Sequence, residues 1–275
     1  MWKLSSCIVF LWYCIQATEH EMLKNAAIGA AAGSLASTAV QPFFYWKNKS
    51  QQNMPFSKNP LHWFRGLPIN ISGYVPRSAV QNTTFSFLNN KMQDASLPLE
   101  IQKLIPIIGA GFASSTISGP RELLITQQQN NGGTCFAALA SIIKNYGIQG
   151  LLRGIQLIIA RDITSSAALF YVHPVLKKRI SEKIDNATIQ TIAPGMAAGM
   201  FSALATQPLD TVKTNMQGTM NNNSIKKVAQ SVYYGKNNKP SFFNFYRGTA
   251  PRLCGVVITM TIMSTVLDYL NNLIK

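Results

Sequence analysis

The stretch Gln207-Pro-Leu-Asp-Thr-Val-Lys-Thr-Asn-Met-Gln217 ends an apolar run and places proline, acid, base and glutamine at fixed spacing. Weaker copies of this motif occur at residues 41–51 and 119–129. Each copy is followed by an apolar or aromatic residue and then Arg-Gly, at residues 64–66, 152–154 and 246–248. Self-similarity at a regular interval indicates a repeat architecture. The sequence predicts three repeats, over residues 23–95, 96–185 and 186–275, after an extension of residues 1–22.

Each repeat contains two apolar segments of membrane-spanning length, for which about 20 residues suffice. The segments cover residues 26–46, 66–90, 104–120, 154–176, 187–209 and 248–267. Three of them carry no charged residue, and the others hold only Arg77, Arg161, Asp162 and Arg252. A soluble protein of 275 residues could hardly bury six such segments. The fold class predicted is an all-α membrane protein with six transmembrane helices in threefold pseudo-symmetric repeats.

The charge distribution predicts how the chain is oriented in the membrane. The formal net charge is +15, and residues 47–65, 121–153 and 210–247 hold more than half of the 25 lysines and arginines. The only acids in these stretches are Glu122 and Asp210. By the positive-inside tendency, these stretches face the compartment that retains Lys and Arg, and both termini lie on the other side.

Several functional classes are not indicated. The basic residues flank hydrophobic spans and do not form a mixed basic and aromatic surface, so nucleic-acid binding is not expected. The sequence contains no catalytic triad, phosphate loop, dinucleotide fingerprint or metal-ligand spacing. We therefore expect neither an enzyme nor a bound cofactor or metal. The apolar run of residues 4–15 is open to three interpretations: a secretory signal, an interfacial anchor, or untranslated sequence upstream of Met22.

The three motifs, each with its Arg-Gly partner, resemble those of the mitochondrial carrier family over residues 23–275. The third copy, from Pro208 to Lys213 and then Gln217, matches well, and the other two are degenerate. The resemblance implies six tilted helices around a central cavity, with short helices on the matrix side. It implies transport of a small-molecule substrate across the inner mitochondrial membrane by alternating access. The partners it implies are that solute and membrane lipid, with cardiolipin at the matrix side, and the transporter would be a monomer.

The resemblance also implies a matrix-side gate, in which the acid of one proline motif pairs with the base of the next. The pairs carried over to this chain are Glu122 with Lys213 and Asp210 with Lys47. A third pair would join positions 44 and 125, which are Phe44 and Ile125. Because both charged partners are missing together, no buried ion is left unpaired. We expect a gate of two ionic bonds and one apolar contact.

Three glutamines complete the predicted gate. Gln51, Gln129 and Gln217 each lie four residues after the basic position of their motif, which places them one turn along the same helix face. In the family such glutamines brace the ion pairs from beneath.

The resemblance places three substrate contact points after the Arg-Gly markers, at Gly73-Tyr74, Arg161-Asp162 and Gly255-Val256. In the family, Arg followed by an acid at the second point marks carriers of amino-acid-like solutes. Arg161 would bind a carboxylate through its forked donors and Asp162 an ammonium group, unless Asp162 only neutralises Arg161.

The remaining contact residues favour a larger solute. The two glycines leave room for a bulky group, and Tyr74 could stack on a base. With Arg77 and Arg252, these positions look most like those of S-adenosylmethionine carriers.

Two alternatives stay open. In the first, Arg77, Arg161 and Arg252 bind phosphates of ATP or ADP. The chain, rich in Asn, Ile, Ser and Lys, would then be a divergent nucleotide carrier of the kind that intracellular bacteria export to the mitochondria of a host cell. In the second, the chain is a non-transporting membrane scaffold, because the link of residues 47–65 is short enough to truncate the first surface helix.

The predicted outer gate is sparse. The family pattern on the even-numbered helices maps to Lys91, Lys177 and Asp268, and Asp268 is the only acid among them. At most one ionic bond can therefore close this gate. We predict that the state open to the outer face is favoured at rest.

The substitution Asp268→Asn tests this assignment. It should change the transport rate and the preference for state-specific inhibitors, because the outer gate would lose its one ionic bond. Both are measurable after reconstitution in liposomes. Unchanged values for both would show that Asp268 does not act in a gate.

Overall fold

The computed structural model describes residues 31–93, 95–220, 223–235 and 238–273, and these residues form helices and no strands. The expected all-α fold class is confirmed. The helices are α1 over residues 31–51, α2 (Leu67–Gln93), α3 (Leu99–Asn131), α4 (Cys135–Tyr146), α5 (Ile155–Ala167), α6 (His173–Ser181), α7 (Ala187–Thr219), α8 (Ile225–Tyr234) and α9 (Thr249–Leu273).

The long helices form a closed ring. Along the chain, α2 packs on α3, α3 on α5, α5 on α7, and α7 on α9. The ring closes where α9 meets α1, since a methyl group added at Gly255 would lie 3.0 Å from Val40 Cγ1. On the α7–α9 side, methyl groups at Gly195 and Gly199 would lie 3.2 Å from Met260 Sδ and 2.8 Å from Val256 Cγ1. Small residues at these positions let the helix backbones approach closely.

The distribution of polar and apolar side chains is inverted relative to a soluble bundle. On α7, Asp210 and Gln217 are buried, whereas Phe201 is 53% exposed and Leu204 is 44% exposed. Among the described residues, the helical stretch Ile148–Ser181 meets the length and composition test for a membrane span, with a mean hydropathy of 1.3. Apolar side chains thus point outward, towards lipid, and polar groups point into the ring.

The Arg-Gly marker is a structural joint between the two long helices of each repeat. A 3₁₀ turn precedes each marker, over Pro60–Phe64, Ile148–Leu152 and Phe242–Tyr246. The three marker glycines have positive φ angles, namely 88° at Gly66, 75° at Gly154 and 79° at Gly248. Glycine adopts this left-handed conformation without steric cost, so the backbone conformation explains why glycine recurs at this position.

Glutamines of the proline motifs bond to these joints. Gln41 Nε2 donates to the carbonyl oxygen of Arg65 at 2.8 Å, and Gln207 Nε2 donates to that of Arg247 at 2.8 Å. The first residue of the motif therefore ties the odd-numbered span of a repeat to the start of its even-numbered span. In repeat two the equivalent position is Gly119, which has no side chain to make this bond.

The repeats differ at their links. Short helices α4 and α8 follow α3 and α7, but residues 52–59 contain no helix, as the short first link predicts. Aromatic packing occupies this link instead. The ring of Phe56 lies between Tyr45, at a centroid distance of 5.4 Å, and Trp63, at 5.2 Å.

A π-helical turn that the sequence analysis did not predict interrupts the fourth span. It covers Ala168–Val172 and is followed directly by His173 and Pro174. Proline lacks the backbone N–H that would continue regular α-helical bonding, and a wider turn next to it accommodates this loss. The turn carries Phe170, whose ring stacks on Phe85 of α2 with centroids 3.8 Å apart.

Two alanine substitutions separate backbone strain from crowding at the joints. Gly154→Ala should destabilise the protein by about 1–2 kcal/mol, since the new side chain meets only Lys213 Cγ at 3.6 Å and the cost is that of the left-handed backbone. Gly248→Ala should cost more, because its Cβ would lie 2.9 Å from the carbonyl oxygen of Lys47. Thermal unfolding in detergent measures both. Equal losses would mean that α1 and the third joint do not pack closely.

Candidate functional site

The C-terminal halves of α1, α3 and α7 converge at one end of the ring, which the charge pattern predicts to face the matrix and which we call the matrix end. Two ion pairs join these helices. Lys47 Nζ lies 2.7 Å from Asp210 Oδ2, and Lys213 Nζ lies 2.7 Å from Glu122 Oε2. These are the two pairs that the family resemblance implies. In this conformation the three repeats are tied together at the matrix end.

Asp210 is the centre of the network. Its side chain is 1% exposed, and besides Lys47 it accepts a hydrogen bond from Gln51 Nε2 at 3.0 Å. Its other oxygen lies 3.3 Å from both Lys213 Nζ and Arg161 Nη1. A buried carboxylate is stable only when charges and donors compensate its lost hydration, and Asp210 has both on every side.

Arg161 joins the predicted gate to the predicted substrate site. Its Nη1 donates to Glu122 Oε2 at 2.5 Å, and its Nη2 and Nε donate to Asp162 Oδ1 at 2.7 and 3.0 Å. Asp162 is fully buried and also lies 3.6 Å from Arg77 Nη2. The predicted contact pair is therefore engaged within an ion network, which is the arrangement expected if Asp162 neutralises Arg161.

At the proline motifs of repeats one and two, the described side chains of α1 and α3 are joined through amides and not by an ion pair. Phe44 and Ile125 line one cavity of about 100 Å³. One turn further along, Asn48 Nδ2 donates to Gln129 Oε1 at 2.6 Å. Beside this bond, Asn130 Nδ2 donates to Gln52 Oε1 at 2.6 Å and Lys49 Nζ donates to Asn130 Oδ1 at 3.0 Å. Hydrogen bonds to amide side chains thus connect the two motifs below the apolar positions.

The three glutamines do not act alike. Gln51 contacts an ion pair as expected, but Gln129 Nε2 and Gln217 Nε2 donate to the carbonyl oxygens of Arg65 and Arg153, each at 3.3 Å. The expectation that all three brace ion pairs is wrong for the last two. Gln129 has no ion pair at its level, because positions 44 and 125 are apolar. For Gln217, the carboxylate of Glu122 is already taken by Arg161 and Lys213.

The glycines at the predicted contact points do not leave open space, which corrects a second expectation. The stem of Arg121 crosses α2 at Gly73, where an added Cβ would overlap its Cδ. Gly255 packs against Val40 of α1. Tyr74 lies against Gly33 of α1, with its Cε1 2.8 Å from a Cβ added there. These positions serve helix packing in this conformation.

A cavity of about 500 Å³ lies inside the ring, above the ion network. Charged side chains form its floor, and small or apolar side chains of α7 and α9 form much of its wall. The floor consists of Arg77, Glu122, Arg161, Asp162 and Arg252. The wall includes Gly195, Ala198, Gly199, Ala203, Val256 and Met260. The cavity is large enough for a metabolite and combines a charged end with an apolar side.

Two more of the predicted substrate residues, Arg77 and Arg252, donate hydrogen bonds to side chains of neighbouring helices. Arg77 Nε donates to Ser118 Oγ at 2.8 Å, and its side chain is 20% exposed. Arg252 donates through Nη2 to Thr206 Oγ1 at 2.7 Å and through Nη1 to Gln207 Oε1 at 2.9 Å. Both guanidinium groups therefore sit at the cavity with polar partners that a carboxylate could replace.

The predicted outer-gate residues lie apart from this network. Lys91 and Lys177 are exposed, and Lys91 Nζ lies 5.8 Å from the centroid of the Phe87 ring. Asp268 belongs to α9, but its side chain lies outside the described part of the structure.

The sequence analysis missed Arg121 as a site residue. Its Nε and Nη1 atoms are buried and have no hydrogen-bond partner among the residues that the structure describes. A signal was present in the sequence, because the residue after the motif proline is Phe43 in repeat one and Leu209 in repeat three. A charged residue at a position that is otherwise apolar marks a local departure from the repeat.

Restoring the missing ion pair tests whether positions 44 and 125 meet in the closed conformation. Ile125→Lys alone should lower thermal stability, since it adds a cation to a cluster in which cations already outnumber acids. Phe44→Asp in the same chain should recover part of the loss, with a coupling energy of about 1–3 kcal/mol in the double-mutant cycle. Losses that simply add would show that the two side chains remain apart.

Comparison with known proteins agrees with this architecture. The sequence profile described as "Mitochondrial carrier protein" matches residues 102–184 and 185–275. The chain is 28% identical to tricarboxylate transport protein B of Danio rerio, over 77% of this chain and 71% of that protein. It is 27% identical to mitochondrial citrate transporter A of Aspergillus niger, over 90% of each. It is 24% identical to the mitochondrial aspartate-glutamate transporter of Saccharomyces cerevisiae, over 85% of this chain and 29% of that protein. The chain belongs to the mitochondrial carrier family and is a multi-pass transporter of the inner mitochondrial membrane, not an enzyme.

Proposed function

We propose that this carrier transports a small organic anion with two or more negative charges, and that a di- or tricarboxylate is its substrate class. The observation that carries the proposal is the charge surplus of the ion network and cavity floor. Among the described residues, six cations face three acids there, and each of these side chains is at most 20% exposed. The cations are Lys47, Arg77, Arg121, Arg161, Lys213 and Arg252, and the acids are Glu122, Asp162 and Asp210.

The surplus has a physical consequence. Charges inside a membrane-spanning bundle are costly, and uncompensated cations remain there only where a ligand or water completes them. Three positive charges in excess attract anions and repel cations, and arginines bind carboxylates through two parallel hydrogen bonds. The cavity of about 500 Å³ above this floor would hold such a solute with its charged groups against Arg77 and Arg252.

The relatives support the same class. Two of the proteins compared above carry names for tricarboxylate or citrate transport, and the third is named for aspartate and glutamate. All four named solutes are carboxylates. At 24–28% identity these names do not transfer by themselves, and the excess of cations supplies an independent reason to choose an anion.

An adenine nucleotide is the second candidate, and the cavity wall favours it. The wall on α7 and α9 is made of glycine, alanine, valine and methionine side chains, against which a flat base could pack. The phosphates would then meet the cationic floor. A tricarboxylate has no group that requires this apolar surface.

The geometry matches an S-adenosylmethionine-type solute less well. That solute carries a positive sulfonium and an ammonium group against one carboxylate, so the surplus of cations would repel it. Asp162, the residue expected to take the ammonium, is fully buried and already engaged by Arg161 and Arg77. S-adenosylmethionine is included as a comparison solute in the uptake experiment described below.

We further propose that one copy of the chain is sufficient for transport, because the cavity is lined by helices of a single ring. Anionic membrane lipid at the matrix end is the other expected partner, given the basic residues of the links.

Reconstitution of the full chain in liposomes tests the substrate class. Uptake of labelled citrate, ATP and S-adenosylmethionine is measured into empty liposomes and into liposomes that contain the same unlabelled solute. Citrate uptake supports the carboxylate proposal, and uptake of ATP alone moves the assignment to nucleotides. Uptake of S-adenosylmethionine alone would refute the argument from charge. If none of these solutes enters, the non-transporting scaffold becomes the better description.

The substitution Arg77→Gln should raise the half-saturating concentration of citrate about tenfold or more, since a charge-assisted hydrogen bond contributes roughly 1.5–3 kcal/mol. The matched control is Arg179→Gln, which removes an exposed arginine of α6 and should leave uptake unchanged. An unchanged half-saturation in the Arg77 variant would remove this residue from the substrate site.

A further inference from the structure

Arg121 is held in an unusual position by a specific feature of the fold. Its side chain does not extend along α3 but crosses the neighbouring helix α2 at Gly73. A Cβ added to Gly73 would overlap Arg121 Cδ and lie 3.2 Å from its Cγ. Only glycine leaves room for this stem. The stem thus lies at the interface of α2 and α3, and Arg121 lines a cavity together with residues of α1, α2 and α7.

The guanidinium is incompletely partnered at that place. Two of its nitrogens, Nε and Nη1, are buried and have no hydrogen-bond partner within the described part of the chain, and Nη2 lies 4.0 Å from Glu122 Oε1. Glu122 has closer partners in Arg161 and Lys213. A buried donor without an acceptor carries a desolvation cost, and that of a charged group is larger. Nearly all such groups in native proteins have partners, so a missing acceptor is expected here.

The space in front of Arg121 can hold that acceptor. It is a cavity of about 100 Å³ whose walls carry three cations, Lys47, Arg121 and Lys213. Its amide side chains are already bonded, since Asn70 Nδ2 donates to Gln41 Oε1 and Gln41 Nε2 donates to the carbonyl oxygen of Arg65. The hydrogen-bond donors that remain in excess are cationic. An anionic group would supply both the acceptor and the negative charge that these donors lack.

The small cavity lies next to the transport cavity. Phe44 and Glu122 line both of them. Other residues of the small cavity, among them Asn48, Ile125 and Thr126, lie nearer the C-terminal ends of α1 and α3, which is the matrix end, whereas Arg121 precedes Glu122 on α3. A solute group that moves from the transport cavity past Phe44 therefore enters a space that Arg121, Lys47 and Lys213 line.

We propose that Arg121, with Lys47 and Lys213, forms a second binding site for one anionic group of the transported solute, in the small cavity beside Phe44 and Glu122. The proposal rests on the anion transport proposed above. The site engages the solute when the matrix end opens, because Lys47 and Lys213 then exchange their carboxylate partners for the solute. Arg121 needs no such exchange, so it provides attraction for the solute even while the ion pairs are formed.

The test compares Arg121→Gln with Arg121→Lys and with the exposed control Arg179→Gln. Citrate uptake is measured from each side of the membrane in liposomes of defined orientation. Arg121→Gln should raise the half-saturating citrate concentration about tenfold on the matrix-facing side and change it less on the outer side. Arg121→Lys, which keeps the charge, should recover part of the loss. Equal half-saturation in all three variants and the native chain would overturn the proposal.

Thermal unfolding in detergent separates binding from a packing role. With no added solute, Arg121→Gln should leave the melting temperature unchanged or raise it, because the substitution removes a poorly compensated buried cation. A large fall in melting temperature with an unchanged half-saturation would show that Arg121 serves only the packing of α2 and α3. Gly73→Ala offers a second variant, since it displaces the Arg121 stem without changing any charge. It should reproduce the rise in half-saturation.

Ligand-induced stabilisation makes the site testable apart from transport. Citrate, ATP and inorganic phosphate are each added at equal ionic strength, with chloride as the reference. Stabilisation of the native chain that falls by at least half in Arg121→Gln supports the site, even if no citrate uptake is found and the transport proposal fails. The site is refuted if the anions stabilise the native chain and Arg121→Gln equally. It is also refuted if none of the three anions stabilises the native chain. Neither result would contradict a positive result for citrate uptake.

Discussion

The closed conformation of this carrier depends on the compensation of one buried carboxylate. Asp210 has lost its hydration inside the helical ring and recovers stability from partners on several helices, among them Arg252 of α9 at 4.0 Å. Lys47 and Gln51 reach it from α1, Arg161 reaches it from α5, and Lys213 lies one turn further along its own helix α7. Since these helices belong to all three repeats, pairing one ion also fixes the relative positions of the repeats at the matrix end.

The network shows how far a threefold repeat can depart from symmetry and still close. Among the described residues, two of the three contacts between proline motifs are ion pairs, and the third has Phe44 and Ile125 at the equivalent positions. Because neither of these two residues is charged, no ion is left unpaired there, and the Asn48–Gln129 bond one turn below supplies a neutral connection. A neutral hydrogen bond contributes less than a buried ion pair costs to break, so this interface should be the first to separate when the matrix end opens.

The excess of cations links this architecture to the choice of solute. A network that served only to close the ring could balance its charges, whereas this one retains three more cations than acids. Arg77 and Arg252 line the transport cavity, and Arg121 lines the smaller cavity beside it. For the proposed anionic solute, positive charge is thus available in both cavities, which lowers the difference in free energy between successive positions of the solute.

The sequence by itself determined the repeat and the helical spans, because apolar segments of spanning length recur together with the same motif. The resemblance of these motifs to those of the family implied the pairs Lys47–Asp210 and Glu122–Lys213. Only the tertiary structure decided the rest. Whether Arg161 faces a solute or Glu122 depends on which charges lie within about 3 Å of it once the helices are rotated and packed. The position of the Arg121 stem was decided in the same way. It depends on the absence of a side chain at Gly73 on another helix, and no spacing along the chain predicts that contact.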